Sequence, residues 1–245
     1  MKVYGLIGYP LGHSFSKKYF TKKFINEGIA GCSYENFPIQ TIDEFKTILI
    51  QNPNICGFNI TIPHKQSVLS FLDDSSNLPE GLSACNCIKI VTGKLIGYNT
   101  DVTGFEKSLL LKLQDYHTKA LILGNGGSAE AVKKKKKKQG IPFKIVSRKL
   151  HNDSHLSYAD LNEAVIKEHL LIINTTPVGT YPKDDEYPAI PYQFITPEHY
   201  LFDLVYNPAK TLFLKKGEEM GAAIKNGADM LEIQAEESWK IWNEE

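Results

Sequence analysis

The pattern of apolar and polar positions changes character at about residue 101. Before it, short apolar runs predict strands at 2–8 and 56–62, and a strand pair at 84–91 and 94–99 joined by the tight turn Thr92-Gly93. Helices are predicted from near Ser16, from Thr41-Ile42-Asp43-Glu44 through about Leu49, and from about Lys65. The Thr41-to-Glu44 spacing is that of a capping box. From Asp101 an amphipathic run to about Leu113 predicts a helix able to connect two domains. Ala120-Leu121-Ile122-Leu123 is then continuously apolar, as in a parallel strand covered on both faces. Further strands are predicted at 143–147, 170–174, 200–205 and 222–225, with a helix at 209–220 carrying Pro208 at its first position. A last helix runs from Asp229 to Trp242. The predicted class is α/β in two domains: an N-terminal mixed α/β domain and a Rossmann-like doubly wound domain.

Polar residues interrupt the most apolar strand of the first half. In Gly57-Phe58-Asn59-Ile60-Thr61-Ile62-Pro63-His64-Lys65, Asn59 and Thr61 project from one face, and Phe58, Ile60 and Ile62 from the other. An amide and a hydroxyl on a core strand cost free energy unless something hydrogen-bonds to them. A small polyhydroxylated ligand would do so, with Lys65 standing over it; nearby loop backbone would serve equally.

In the second half, Gly124-Asn125-Gly126-Gly127-Ser128-Ala129 follows an apolar strand and opens a helix. It fits Gly-x-Gly-x-x-Ala, in which glycines allow the turn and the approach of a pyrophosphate to a helix N-terminus. The next strand ends at Ser147-Arg148-Lys149. An acidic residue there would hold a ribose hydroxyl pair; a hydroxyl and two cations suit a 2′-phosphate, so the expected cofactor is NADP. The helix between them carries Lys133 to Lys138 without an apolar stripe, which fits a largely solvated helix whose lysine stems cover apolar surface.

Composition narrows the function classes. The 245 residues are 42% hydrophobic and 23% charged, with 28 basic and 28 acidic side chains. A zero net charge argues against a nucleic-acid partner, and no apolar run is long enough to span a bilayer. A cytoplasmic protein, monomeric or homodimeric, is expected. Of the four cysteines, Cys32, Cys56, Cys85 and Cys87, the last two alternate with Asn86 on one strand with neither zinc nor redox-pair spacing, so buried reduced thiols are expected there, and no metal site.

Five ordered stretches resemble the shikimate dehydrogenase family: Gly8-Tyr9-Pro10-Leu11-Gly12-His13-Ser14-Phe15-Ser16, the Asn59 to Lys65 segment, Gly97-Tyr98-Asn99-Thr100-Asp101, the glycine loop, and Asn226-Gly227-Ala228-Asp229-Met230-Leu231 with Gln234-Ala235. Asn174-Thr175-Thr176 and Tyr206-Asn207-Pro208 match further landmarks. The resemblance implies a substrate-binding domain at 1–101 plus 228–245, a Rossmann NADP-binding domain at 102–227, and a final helix that folds back onto the first. It implies that Ser14 and Ser16 hold a substrate carboxylate with Tyr206 near it. It further implies that Asn59, Thr61, Asn86, Asp101 and Gln234 ring the substrate hydroxyls, that Lys65 and Asp101 form the catalytic pair, and that Gly227 lies by the nicotinamide.

The implied activity is NADPH-dependent reduction of 3-dehydroshikimate to shikimate, in aromatic amino-acid biosynthesis. A quinate/shikimate enzyme of relaxed choice is the near alternative. A non-catalytic NADP-binding module is the distant one, and it would have no need of the Lys65–Asp101 pair. The chain departs from the family pattern at Lys17, where Pro is common, and at Ser147 and Lys149, where Asn and Thr usually flank the arginine.

Overall fold

The computed structural model describes residues 1–12, 14–125, 141–148 and 155–244. The chain divides into two compact units, Met1–Thr103 with Leu231–Glu245, and Gly104–Met230.

The first unit contains β1 (Lys2–Gly8), α1 (Phe15–Asn26), β2 (Cys32–Pro38), α2 (Glu44–Gln51), β3 (Ile55–Ile60), a 3-10 turn at Ser67–Phe71, β4 (Cys87–Val91) and β5 (Lys94–Tyr98). Its sheet runs β2-β1-β3-β4-β5. β1 pairs in parallel with β2 and β3, whereas β3-β4 and β4-β5 are antiparallel. The β4-β5 hairpin closes through Thr92 at φ 49° and Gly93 at φ 78°, the positive pair that a two-residue turn matched to strand twist requires. Alternation sends Ile7, Phe58, Ile60 and Ile88 into one core, with Phe45 from α2. Tyr4, Leu6, Tyr34 and Cys87 enter another, where they meet Phe20 and Trp242. The final helix therefore does pack on this sheet.

The chain passes from one unit to the other within α3 (Thr100–Leu110). The second unit holds β6 (Ala120–Leu123), β7 (Phe143–Val146), β8 (His155–Leu156), α4 (Glu163–Glu168), β9 (Leu171–Asn174), β10 (Tyr200–Asp203), α5 (Leu212–Glu219) and β11 (Ala223–Lys225). All these strands are parallel, in the order β11-β10-β9-β6-β7-β8. Counted from β6, this is the doubly wound order, with its reversal between β6 and β9. Leu121, Leu123, Ile172 and Leu201 pack to one side, and Ala120, Ile122, Ile173 and Phe202 to the other. Burial on both faces explains the unbroken apolar runs. The chain returns through α6 (Ala228–Asn243).

Several elements differ from the sequence prediction. β2 was not predicted: a sheet edge with one strand neighbour, it buries only Tyr34 fully. β3 ends at Ile60 rather than 62, and Ile62 is 73% exposed instead of sharing the apolar face. The strand expected at 84–91 begins only at Cys87, leaving Asn86 just before it. The helix expected from Lys65 is the short 3-10 turn. The helix expected at 209–220 starts at Leu212, because Thr211, not the residue before Pro208, accepts the N–H of Leu214 and caps it. Gly126, Gly127, Ser128, Ala129, Lys149 and the lysine run at 133–138 lie outside the described residues.

Candidate active site

In the first unit, the ends of β1 and β3 and the starts of α1 and α3 carry most of the predicted site. Lys65 follows β3 by five residues, and its carbonyl accepts the Cys85 N–H at 2.8 Å. Asp101 stands in the first turn of α3, whose positive end favours a carboxylate. Asn99 caps that helix by accepting the Val102 N–H at 3.2 Å, and Asn86 Oδ1 accepts the Thr100 N–H at 2.6 Å. With both backbones fixed, Lys65 Nζ lies 2.6 Å from Asp101 Oδ2, the side chains being 32% and 20% exposed. This is a charge-assisted bond that solvent can still reach.

Ser14 accepts the Lys17 N–H and opens α1, leaving first-turn N–H groups at a positive helix end. Ser16 stands in that first turn, close to the Tyr34 phenol, whose pKa burial drives well above the usual tyrosine range. Thr61 continues the β1 ladder through its N–H to the Ile7 carbonyl at 2.8 Å. Asn86 is buried and donates Nδ2 to Thr100 Oγ1 at 3.0 Å, which leaves one amide N–H to give. Gln234, on α6, is buried and donates to the Leu231 carbonyl at 2.9 Å.

Asn59 is the exception to the open-ring picture. Its Oδ1 accepts from Tyr34 Oη at 2.8 Å, and its Nδ2 donates to Ser238 Oγ at 2.8 Å and to the Asn86 carbonyl at 3.4 Å. Both amide protons are used internally, so the packing of this residue requires no ligand. Tyr34, Thr100 and Ser238, which make these bonds, were not singled out from the sequence. Thr100 adjoins Asp101, and Ser238 lies one turn after Gln234 on the same helix face, so spacing could have flagged both. Tyr34 sits on the unpredicted β2.

Cys85 and Cys87 are fully buried free thiols, and burial pushes Cys85 up to about 11. Among the described residues, no group of three or more His, Cys, Asp or Glu could hold a metal ion, and no helix is long and apolar enough to cross a membrane.

The second unit holds Gly124, Asn125, Ser147, Arg148, Tyr206 and Gly227. Gly124 follows β6 at φ 105°, and a Cβ there would meet Thr176 Cγ2 at 2.8 Å and Thr175 Oγ1 at 2.9 Å. Only glycine fits this turn. The turn adjoins the reversal of strand order, where doubly wound sheets take nucleotides. Arg148 is exposed just past the end of β7, two residues beyond Val146. Gly227 faces the Leu204 carbonyl so closely that a Cβ would come within 2.3 Å of its oxygen. Tyr206 is 45% exposed.

The whole chain, and not the site alone, has counterparts among known proteins. Over 98% of its length the chain is 36% identical to the shikimate dehydrogenase (NADP(+)) of Methanococcus maripaludis strain S2, covering 91% of that protein. It belongs to the shikimate dehydrogenase family. Over its whole length it is also 37% identical to the shikimate dehydrogenase (NADP(+)) of Clostridium beijerinckii, covering 93% of that protein. Residues 6–88 match the shikimate dehydrogenase substrate binding domain, a stretch that runs from within β1 to the start of β4 and contains Ser14, Ser16, Asn59, Thr61, Lys65 and Asn86. Among solved structures, the chain is similar to shikimate 5-dehydrogenase of Thermus thermophilus in complex with NADP(H) and shikimate. That likeness has a TM-score of 0.83 at 25% identity, over 99% of this chain and 94% of that one. Membership in the shikimate dehydrogenase family thus spans both units.

Proposed function

We propose that this chain reversibly reduces 3-dehydroshikimate to shikimate with NADPH, serving aromatic amino-acid biosynthesis. The observation that carries the reading is the 2.6 Å Lys65–Asp101 pair, standing partly exposed beside the polar residues at the ends of β1 and β3. Full-length relatives named as NADP-dependent shikimate dehydrogenases support it.

Bound NADPH supplies the hydride to the ketone carbon. The Lys65 ammonium gives a proton to the carbonyl oxygen as charge develops there, and in the oxidation direction the amine takes it back. The Asp101 carboxylate orients that ammonium and offsets its charge, so the pair acts by position as much as by acidity. Ser14 and Ser16 hold the substrate carboxylate with their hydroxyls, aided by the positive end of α1, and Tyr206 is assigned as a further substrate-binding residue. Thr61, Asn86 and Gln234 serve the ring hydroxyls, whereas Asn59 has only its second Oδ1 lone pair to offer.

The residues present fit the cofactor. The glycine at φ 105° admits a pyrophosphate beside β6, and exposed Arg148 presents a guanidinium suited to the 2′-phosphate. Gly124, Gly126, Gly127, Ser128 and Ala129 would hold the pyrophosphate, Ser147, Arg148 and Lys149 the 2′-phosphate, and Gly227 would leave room for the nicotinamide. Residues 1–101 plus 228–245 serve as a substrate-binding domain and residues 102–227 as an NADP-binding domain. Protonated buried thiols suit a reducing cytoplasm, and the enzyme works there as a monomer or homodimer.

An absorbance assay of shikimate and quinate, each with NADP and NAD, tests the reading. The expected result is turnover fastest with shikimate and NADP. Faster turnover of quinate would make the relaxed-choice enzyme the better description, and no turnover of either would leave a binding module.

A further inference from the structure

Ser238 is fully buried on α6, yet its hydroxyl joins two other elements of the first unit to its own helix. Its Oγ accepts from Asn59 Nδ2 of β3 at 2.8 Å, lies 3.2 Å from Thr100 Oγ1 at the start of α3, and donates to the Gln234 carbonyl at 2.9 Å. Counting donors fixes the directions. Serine has one proton, and the Gln234 carbonyl can only accept, so the Thr100 hydroxyl donates to Ser238. Thr100 Oγ1 in turn accepts from Asn86 Nδ2, while its backbone N–H goes to Asn86 Oδ1. Asn59 Oδ1 takes the Tyr34 proton at 2.8 Å. Two donors therefore converge on one buried oxygen.

The groups so tied adjoin the reacting ones. Thr100 is the residue before Asp101, and Gln234 lies one helical turn before Ser238. Lys65 is bound through its carbonyl to Cys85, the neighbour of Asn86. Both halves of the 2.6 Å Lys65–Asp101 pair thus hang from the 85–86 segment, and Thr100 and Ser238 brace that segment against α6.

We infer that Ser238 is a positioning residue for catalysis, holding the start of α3, and hence the Asp101 carboxylate, in register with Lys65 and Gln234. The inference rests on the shikimate dehydrogenase reading. Removal of the hydroxyl leaves an Asn59 N–H buried without its acceptor and leaves the Thr100 hydroxyl only the longer 3.4 Å contact to Asn86 Oδ1, so both regroup. Misplacement of a reacting group by a fraction of an ångström lowers turnover without touching cofactor affinity.

The test compares Ser238→Ala and Ser238→Thr with wild type by thermal melting and by kcat and KM for shikimate and for NADP. The expected result is a fall of about tenfold in kcat for the alanine variant, an unchanged KM for NADP, and substantial recovery of kcat in the threonine variant, which restores the oxygen. An alanine variant that melts earlier but keeps wild-type kcat at a temperature where it is folded overturns the inference, leaving a purely structural hydroxyl. If the alanine variant does not fold, Ser238→Cys keeps the volume with a weaker acceptor. A wild-type kcat there overturns the inference, and a reduced kcat with unchanged KM for NADP supports it. A wild-type protein that turns over no shikimate fails the functional reading itself, a result distinct from either.

Discussion

Lys65 and Asp101 are 36 positions apart in sequence, and two separate helix-start and turn contacts bring them within 2.6 Å. A lysine held this way loses little on binding, and its removal takes away the only proton donor assigned to the alkoxide oxygen. Lys65→Ala is expected to lower kcat about a thousandfold with KM for shikimate changing little, the size typical of a lost general acid. Steady-state kinetics in the oxidation direction checks it, and an unchanged kcat would move the proton to another group. Arg148 makes a separable claim, since it lies in the other unit. Arg148→Asp is expected to raise KM for NADP at least about tenfold and shift preference toward NAD, as loss of a guanidinium–phosphate contact and gain of a carboxylate dictate. A ratio of NADP to NAD efficiency that stays fixed would place the phosphate contact elsewhere. The positions of the lysine, its carboxylate and the arginine at element ends were legible in the sequence, because each follows a strand or opens a helix. The engagement of Asn59 was not, because its partner Ser238 is 179 residues away and Tyr34 lies on a strand with too little apolar content to announce itself.

Elements were legible in proportion to their burial on both faces. β6, β9 and β10 are wholly buried and read as continuous apolar runs, whereas edge strand β2 buries one side chain fully and passed unseen. Helix starts were less legible, since the cap of α5 is Thr211, whose hydroxyl also donates to Asp203 across the sheet end. The fastening of α6 is the element-scale feature with the sharpest consequence. Trp242 donates its indole N–H to the Ile88 carbonyl at 3.0 Å, stacks on Tyr4 at 4.8 Å, and covers β3 at Gly57. A Cβ at Gly57 would stand 2.3 Å from Trp242 Nε1 and 2.8 Å from the Ile88 oxygen. The second atom is backbone in a paired strand and cannot swing aside. Gly57→Ala is therefore expected to destabilise by about 2–3 kcal/mol through overpacking, and to release the last turn of α6. Urea unfolding followed by tryptophan fluorescence measures it. A variant as stable as wild type would mean that α6 is held by its other contacts, among them the bonds from Lys23 and Tyr19 to Glu236.

At the scale of the whole molecule, 28 acidic and 28 basic residues balance, and the pH response of stability follows from the groups whose pKa differs between folded and unfolded chain. Asp203, at the end of β10, is fully buried and burial raises its pKa to about 6. The Thr211 hydroxyl at 2.6 Å, the Val205 N–H at 3.0 Å and the Asn174 amide at 3.0 Å stabilise its carboxylate and hold the rise in check. A folded-state pKa above the unfolded value means that the native state binds the proton more tightly. Its contribution is then fully present below about pH 4 and is lost as pH rises through about 6. A shift of about two units corresponds to about 3 kcal/mol at most. Other carboxylates favour the opposite trend, so the comparison is with Asp203→Asn, which keeps the shape and cannot ionise. Relative to that variant, wild type is expected to lose about 2 kcal/mol of unfolding free energy between about pH 4.5 and about pH 7.5. Urea midpoints at the two pH values give the difference directly. A gap between the two proteins that does not change with pH would show that Asp203 ionises as readily folded as unfolded, and that its three hydrogen bonds fully offset its burial.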